Sequence, residues 1–271
     1  MATKNLLVTS NQRFAFGENW QRFLSSLSDA QIRQAEESLR SLLGTERLDG
    51  RTFLDVGSGS GLFSLAARNL GARVRSFDFD DTSVACSTTL KRRYYPSDPG
   101  WVIEQGSILD KEFLGRLDRF DVVYSWGVLH HTGAMWPGLE NVAALVRNDG
   151  LLCVAIYNDQ GWISRYWLWV KKIYNTGAAG RLMIIAVHAP YLLAARWVVR
   201  AIRGRTRLER GMSLWHDMMD WLGGYPFEVA KADSVVDFFS GHGFLLQTQR
   251  LCGSRSGCNE FVFLRRDRGS R

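Results

Sequence analysis

Cysteine is scarce and scattered. Cys86, Cys153, Cys252 and Cys258 are the only four in 271 residues, too few and too widely spaced for a disulfide scaffold. Cys252 and Cys258 lie close together, but no second pair or histidine cluster completes a zinc site, so no metal is expected. No charged-then-apolar leader opens the chain, and the expected compartment is the reducing cytoplasm. Long uninterrupted apolar runs are missing as well. The most apolar stretch, Leu182 to Ala201, contains His188, Pro190, Arg196 and Arg200, and a charge near the bilayer centre costs about 2.5 to 3.5 kcal/mol; a spanning helix is excluded. No internal repeat is visible. Acidic residues are the minority, 27 against 34 basic ones, for a formal charge of +7. The surplus gathers at Arg200, Arg203, Arg205, Arg207 and Arg210 and in the tail Arg265, Arg266, Arg268 and Arg271. Such clusters favour anionic partners without naming one, and a solvated face with a frayed end is the plainer account.

What is present suffices for a full core. With 46% hydrophobic residues, the chain suits one large domain or one domain carrying a substantial insertion. Ser28 followed by Gln31 is a capping-box pattern opening a helix through Leu39 and Leu43. From Thr52 onward short apolar runs alternate with helical stretches: Thr52 to Val56, Val74 to Phe77, Trp101 to Glu104, Asp121 to Tyr124 and Leu151 to Ile156. That alternation predicts a parallel sheet covered by helices on both faces. It stops at Asn158, where a segment rich in Trp, Tyr, Leu and Arg reads as a helical insertion running to about Ala230. Ser234 to His242 then reads as a helix, and Phe244 to Leu251 and Asn259 to Leu264 as strands paired antiparallel across a short loop. The expected organisation is an N-terminal helical lid segment over residues 1–48, a core over 49–157, a substrate cap over 158–230, and the rest of the core with a basic tail over 231–271.

The first strand ends in Leu54, Asp55, Val56, Gly57, Ser58, Gly59, Ser60, Gly61. Glycines at alternate positions where a buried strand turns into a helix let the backbone bend sharply and let a ligand approach without meeting a Cβ. About twenty residues on, at the end of the second strand, Asp78 offers a carboxylate that can accept both hydroxyls of a ribose. The dinucleotide spacing G-x-G-x-x-G would need glycine at position 62, which is Leu62, and this departure counts against a nicotinamide-dependent oxidoreductase.

On these residues the chain resembles class I S-adenosylmethionine-dependent methyltransferases, whose first motif sets an acidic residue two before the first of three alternating glycines. Asp55, Gly57, Gly59 and Gly61 match it, with Ser58 inside the turn. The resemblance continues through Gln105, Gly106, Ser107, Ile108, Leu109, Asp110 after the third strand. It also covers Phe120 to His131, which is similar to the fourth-strand motif of methyltransferases acting on quinones and other small molecules, so that it spans about Phe53 to Tyr157. It implies an α/β, Rossmann-like sheet of seven mostly parallel strands with an antiparallel edge strand, helices on both faces, and a helical insertion after strand 5. It also implies S-adenosylmethionine as cofactor, with Asp78, Phe79, Ser107 and Ile108 around the nucleoside and Ser125 and Trp126 near the donor.

Methyl transfer to a hydroxyl asks for a base near the strand ends. His130 and His131 follow the fourth strand, and an imidazole titrates in the useful range; His131 is preferred as the base, though the pair could equally shape the loop. In the insertion His216 and Asp220 fall one helical turn apart, beside Trp215 and ahead of Tyr225. Phe16 and Trp20 belong to an aromatic cluster before the first helix that could close as a lid, and Tyr157 ends the fifth strand; these are the substrate-side candidates. The apolar cap suggests a small or lipid-like acceptor. It is a cavity wall, a dimer surface, or an interfacial helix touching the inner membrane face. The oligomeric state cannot be read. A nucleic-acid acceptor is disfavoured, since enzymes methylating base amines usually carry Asn or Asp, Pro, Pro and an aromatic where Ser125, Trp126, Gly127 and Val128 stand. An RNA-modifying methyltransferase and a non-catalytic S-adenosylmethionine-binding protein are the alternatives.

Overall fold

The computed structural model describes residues 17–203, 214–253 and 257–266. Seven strands form one sheet: β1 (Thr52–Val56), β2 (Arg73–Asp78), β3 (Trp101–Gln105), β4 (Phe120–Trp126), β5 (Val146–Tyr157), β6 (Phe244–Arg250) and β7 (Cys258–Arg265), in the spatial order β3-β2-β1-β4-β5-β7-β6. The first five run parallel. β7 is antiparallel both to β5 and to β6, so the reversed strand lies just inside the edge and β6 forms the edge. The order reverses between β1 and β4, which opens a crevice beyond the carboxyl ends of these strands, where doubly wound sheets bind ligands.

Alternation of side chains across the pleat divides the core in two. Phe53, Val122 and Tyr124 point to one face, where α1 (Gly17–Ser25), α2 (Asp29–Leu43), α3 (Leu62–Asn69) and α4 (Asp81–Tyr94) add Phe23, Leu39, Leu65 and Leu90. Leu54, Val56 and Val123 point to the other, against Phe113 of the short α5 (Lys111–Leu114), Leu139 and Val142 of α6 (Met135–Ala144), and Phe239 of α10 (Ala232–Gly241). The expected capping box is present: the Ser28 N–H donates to Gln31 Oε1 at 2.8 Å at the start of α2, a device contributing about 1 kcal/mol. Between β5 and β6 the chain leaves the sheet for α7 (Trp162–Tyr174), α8 (Ala178–Arg203) and α9 (Leu214–Gly223). These helices have a core of their own, built from Val170, Tyr174, Ile184, Ala189, Met218 and Leu222. No helix among the described residues is long and apolar enough to cross a membrane.

Candidate active site

The glycine turn joins β1 to α3 at the crevice. Gly57 has φ 74° and Gly59 φ 54°, a backbone region that costs a residue with a Cβ. A Cβ at Gly57 would lie 2.5 Å from both γ-methyls of Val128, and one at Gly59 2.9 Å from the Trp20 indole. Trp20, on α1, is therefore packed directly over the turn. The same helix is fixed at its start by the Gly17 N–H, which donates to Asp80 Oδ2 at 3.0 Å, while Asp80 Oδ1 accepts from Thr82 N–H and caps α4.

Asp78, at the tip of β2, faces the turn. Its Oδ2 accepts from the Gly59 N–H at 2.9 Å and its Oδ1 from the Asp80 N–H at 3.0 Å. The Phe79 backbone also bonds to this carboxylate, and because each carboxylate oxygen accepts more than one hydrogen bond, acceptor capacity remains. Burial raises its pKa to about 6, opposed by these backbone hydrogen bonds. Asp55, on β1, lies deeper; burial pushes it to about 7, the Ser64 hydroxyl donating to it at 2.6 Å works against that, and the neighbouring Asp78 charge adds to the rise. Asp55 thus ties the end of β1 to α3 and has no opening to solvent. Ser58 Oγ lies 3.2 Å from Ser87 Oγ of α4. The Phe79 ring stands out from the protein beside Asp78, 54% exposed.

The other nucleoside candidates are placed differently. Ser107 Oγ accepts the Leu109 N–H at 3.1 Å, shaping the loop after β3. Ile108 is buried in the core, and its carbonyl accepts from Asn141 of α6 at 2.7 Å. Ser125 is fully buried and donates to the Val56 carbonyl across the β4–β1 pair. Trp126 donates its indole N–H to Glu260 of β7 at 3.0 Å.

Beyond β4, Leu129–His131 form a 3-10 turn that brings both histidines to the end of β5. His130 is fully buried, its ring 3.8 Å from that of Tyr157 and 4.5 Å from that of His131. Its Nδ1 accepts the Tyr157 N–H at 3.3 Å, which leaves the proton of the neutral ring on Nε2. That Nε2 is buried and without a hydrogen-bond partner among the described residues. His131 has the opposite tautomer: Nδ1 donates to the Pro226 carbonyl at 2.6 Å, and Nε2 carries the lone pair. Burial pulls both pKa values down, His130 well below the usual range and His131 to about 3, and the nearby Lys171 charge lowers both further.

The segment following α9 holds this turn in place. The Glu228 N–H donates to the His130 carbonyl at 2.9 Å, the Glu228 carboxylate accepts the Met135 N–H that opens α6, and the Ala230 N–H donates to the Tyr157 carbonyl. Lys171, Trp221 and Phe227 complete the surround. Lys171 of α7 is buried, donates to the Trp221 carbonyl, and sits 4.8 Å and 4.9 Å from the ring centres of Trp221 and Phe227. Tyr157 stacks edge-on against Trp221 at 5.8 Å and lies 5.2 Å from Phe227.

Of the expected site residues, Asp55, Gly57, Ser58, Gly59, Gly61, Asp78 and Trp20 meet at the glycine turn, and His130, His131 and Tyr157 meet at the ends of β4 and β5. Tyr225 immediately precedes the Pro226 whose carbonyl holds His131. Phe16 lies outside the described residues, as do the side chains of Trp215, His216 and Asp220. The expectation missed Lys171, Trp221, Phe227 and Glu228. Lys171 had a signal: Trp167, Val170, Lys171 and Tyr174 recur at the spacing of a buried helix stripe, which makes the lysine on it conspicuous.

Comparison with known proteins points to a methyltransferase domain. Residues 54–152 match the family model described as a methyltransferase domain. A ubiquinone biosynthesis O-methyltransferase of Rhodopseudomonas palustris (strain TIE-1) is 29% identical over 141 residues, 52% of each chain; the chain spans about half the length of the curated relatives it matches. Among solved structures, magnesium protoporphyrin IX methyltransferase from Synechocystis PCC 6803, with bound S-adenosylmethionine, superposes with a TM-score of 0.58 at 12% identity, over 95% of this chain and 98% of that one. An O-methyltransferase family protein from Burkholderia thailandensis gives 0.55 at 14%, over 97% and 67%. The chain thus matches a methyltransferase domain over residues 54–152 and shares the fold of these solved methyltransferases.

Proposed function

We propose that this chain, whose core is a class I methyltransferase domain, transfers the methyl group of S-adenosylmethionine to a hydroxyl of a small, partly hydrophobic acceptor. The observation that carries the reading is the Asp78 carboxylate, held by the Gly59 and Asp80 N–H groups with acceptor capacity left over at the mouth of the glycine turn. That arrangement fits a nucleoside. Asp78 would hold the ribose hydroxyls, the exposed Phe79 ring is better placed than Ile108 to cover an adenine face, Ser107 borders the same loop, and Trp20 closes over the turn. When bound, the cofactor supplies a methyl group on a sulfonium that needs no further activation.

The chain's own contribution is orientation, exclusion of water and handling of one proton. His131 presents Nε2 as the proton acceptor for the acceptor hydroxyl, its ring fixed by the Pro226 carbonyl. With a pKa of about 3, it is uncharged throughout the physiological range, although a weak base; the positive Lys171 nearby favours an oxygen that ionises as the methyl is transferred. His130, with its proton on Nε2, is a donor and not a base. The name of the curated relatives, O-methyltransferases of ubiquinone biosynthesis, supports an oxygen acceptor on a partly apolar molecule.

The test is transfer of label from methyl-labelled S-adenosylmethionine to catechols and hydroquinones bearing alkyl chains of graded length, with a pooled RNA as a parallel acceptor. Labelled O-methyl product is expected from the phenolic compounds. Labelling of RNA alone, or no turnover by protein that still binds S-adenosylhomocysteine, refutes the assignment in favour of the RNA-modifying or the non-catalytic alternative.

A further inference from the structure

Apolar side chains left in water are concentrated on the cap. Among the described residues, seven of the eleven large exposed apolar side chains, Trp162, Tyr166, Trp169, Leu182, Met183, Val187 and Tyr191, lie on α7 and α8. Trp162 and Tyr191 are 71% and 70% exposed. Isolated exposed apolar residues need no explanation, but contiguous ones mark an interaction surface. Here they follow helical spacing. On α7 the outward face carries Trp162, Arg165, Tyr166, Trp169 and Lys172; on α8 it carries Leu182, Met183, Ala186, Val187, Pro190, Tyr191 and Ala194, with no charged side chain among them. Both helices turn their inner faces to the same cluster around Met218 and Leu222.

Charge identifies the occupant. Between Asp159 and Glu209 the chain has no Asp or Glu, while Arg165, Lys171, Lys172, Arg181, Arg196, Arg200, Arg203, Arg205 and Arg207 fall in that interval. An apolar helix face with exposed tryptophans and basic flanks, and no acidic residue, is complementary to an anionic lipid surface. A second copy of the chain is a poorer fit, because a contact between two copies of this face would set Arg165, Lys172 and Arg181 of each copy against a face that is basic and has no acidic residue.

A continuous path of aromatic rings joins this surface to the histidine pair. Tyr157, which packs on His130, contacts Trp221 at 5.8 Å; Trp221 contacts Trp167 at 5.4 Å; Trp167 contacts Tyr166 at 5.5 Å, and Tyr166 reaches the outside. We propose that the outward faces of α7 and α8 dock on an anionic phospholipid bilayer and bring the histidine pair near it, so that the acceptor is a membrane-dissolved amphiphile. The identity of the acceptor as a methyl acceptor rests on the function proposed above; the docking itself does not.

The experiment is co-sedimentation of the full chain with vesicles of equal parts phosphatidylglycerol and phosphatidylcholine, beside pure phosphatidylcholine vesicles, with S-adenosylhomocysteine binding and circular dichroism measured on the same samples. The wild type is expected to sediment with the anionic vesicles and to be released by high salt. A Trp162→Ser/Trp169→Ser/Val187→Ser variant should partition about tenfold less or weaker still while keeping its fold and its S-adenosylhomocysteine binding. Arg165→Glu/Lys172→Glu should lose the preference for anionic lipid. Failure of folded wild type to bind anionic vesicles overturns the proposal, as does undiminished binding by both variants. A wild-type dimer that the serine variant converts to monomer also overturns it, in favour of a second copy. Loss of S-adenosylhomocysteine binding in the wild type would instead strike the proposed function and leave the vesicle result to be read separately.

Discussion

Replacing Asp78 with asparagine separates ligand binding from folding. At neutral pH the fold holds this carboxylate ionised although its pKa is about 6. Because the folded-state pKa lies above the ordinary carboxylate value, ionisation opposes folding as pH rises through the interval between them and by a constant amount above pH 6. The full shift corresponds to about 3 kcal/mol, and solvent reaching the partly exposed group reduces that to roughly 1.5 kcal/mol. Asparagine removes this cost but can accept only one of the Gly59 and Asp80 N–H groups, at a loss of about 1 to 2 kcal/mol. The two nearly cancel, so the unliganded melting temperature of Asp78→Asn should stay within about 4 °C of wild type at pH 7.5. Ribose binding does not cancel. Losing about 3 kcal/mol of charge-assisted hydrogen bonding weakens S-adenosylhomocysteine about a hundredfold. At a ligand concentration of about a hundred times the wild-type Kd, the wild type gains about 2.7 kcal/mol and the variant about 0.4 kcal/mol. The readout is the ligand-induced shift in thermal denaturation, about 5 to 10 °C for wild type and about 1 °C for the variant. A variant that keeps the full ligand shift, or that loses some 10 °C without ligand, refutes the reasoning.

Affinity for S-adenosylhomocysteine should fall as pH drops below 6, about tenfold per pH unit, as Asp78 takes up its proton; calorimetric titrations between pH 5 and 8 check this, and a flat profile contradicts it. His131→Asn, whose amide can still donate to the Pro226 carbonyl, should lower kcat by about a hundredfold and leave S-adenosylhomocysteine binding intact. The same variant tests linkage: with a folded pKa near 3 against about 6.5 unfolded, wild-type His131 removes stability as pH falls from 6.5 toward 3, so the variant should lose less stability over that range in denaturant titrations. Gly57→Ala, which sets a methyl 2.5 Å from the Val128 side chain at φ 74°, should destabilise the chain by about 2 kcal/mol. Adding Val128→Ala should recover part of that loss, and a double variant no better than the sum of the singles would show that the contact is not the cause.

The elements with one dominant signal are legible in the sequence. Thr52–Val56 is a short apolar run between Arg51 and Gly57, as a strand covered on both faces must be, and the observed β1 has the same bounds. Ser28 and Gln31 announce the start of α2, and the capping hydrogen bond is there. β5 is longer than its apolar run because Val146 pairs with Phe120 before the register shifts and resumes at Leu151 with Val122. The intervening Arg147, Asn148, Asp149 and Gly150 add no apolar side chain to that run, and Asp149 has φ 59°. At the site, the glycine turn and Asp78 are local in sequence and so are readable. The tautomers of the histidines are not, since they are set by Tyr157 and by Pro226, whose carbonyl comes from a segment 95 residues further along. Lys171 shares the apolar stripe of α7, but a lysine within a helix is ordinarily solvated, and its enclosure comes from the packing of Trp221 and Phe227 around it, which is not local in sequence.

The central claim is that the crevice at the ends of β1 and β2 is a site for S-adenosylmethionine. Calorimetric titration of the full chain with S-adenosylhomocysteine, with NADH as the control, tests it most directly. The account predicts saturable binding with a Kd on the order of micromolar and no heat from NADH; saturable binding of NADH, or no binding of S-adenosylhomocysteine by protein with a cooperative thermal transition, contradicts it.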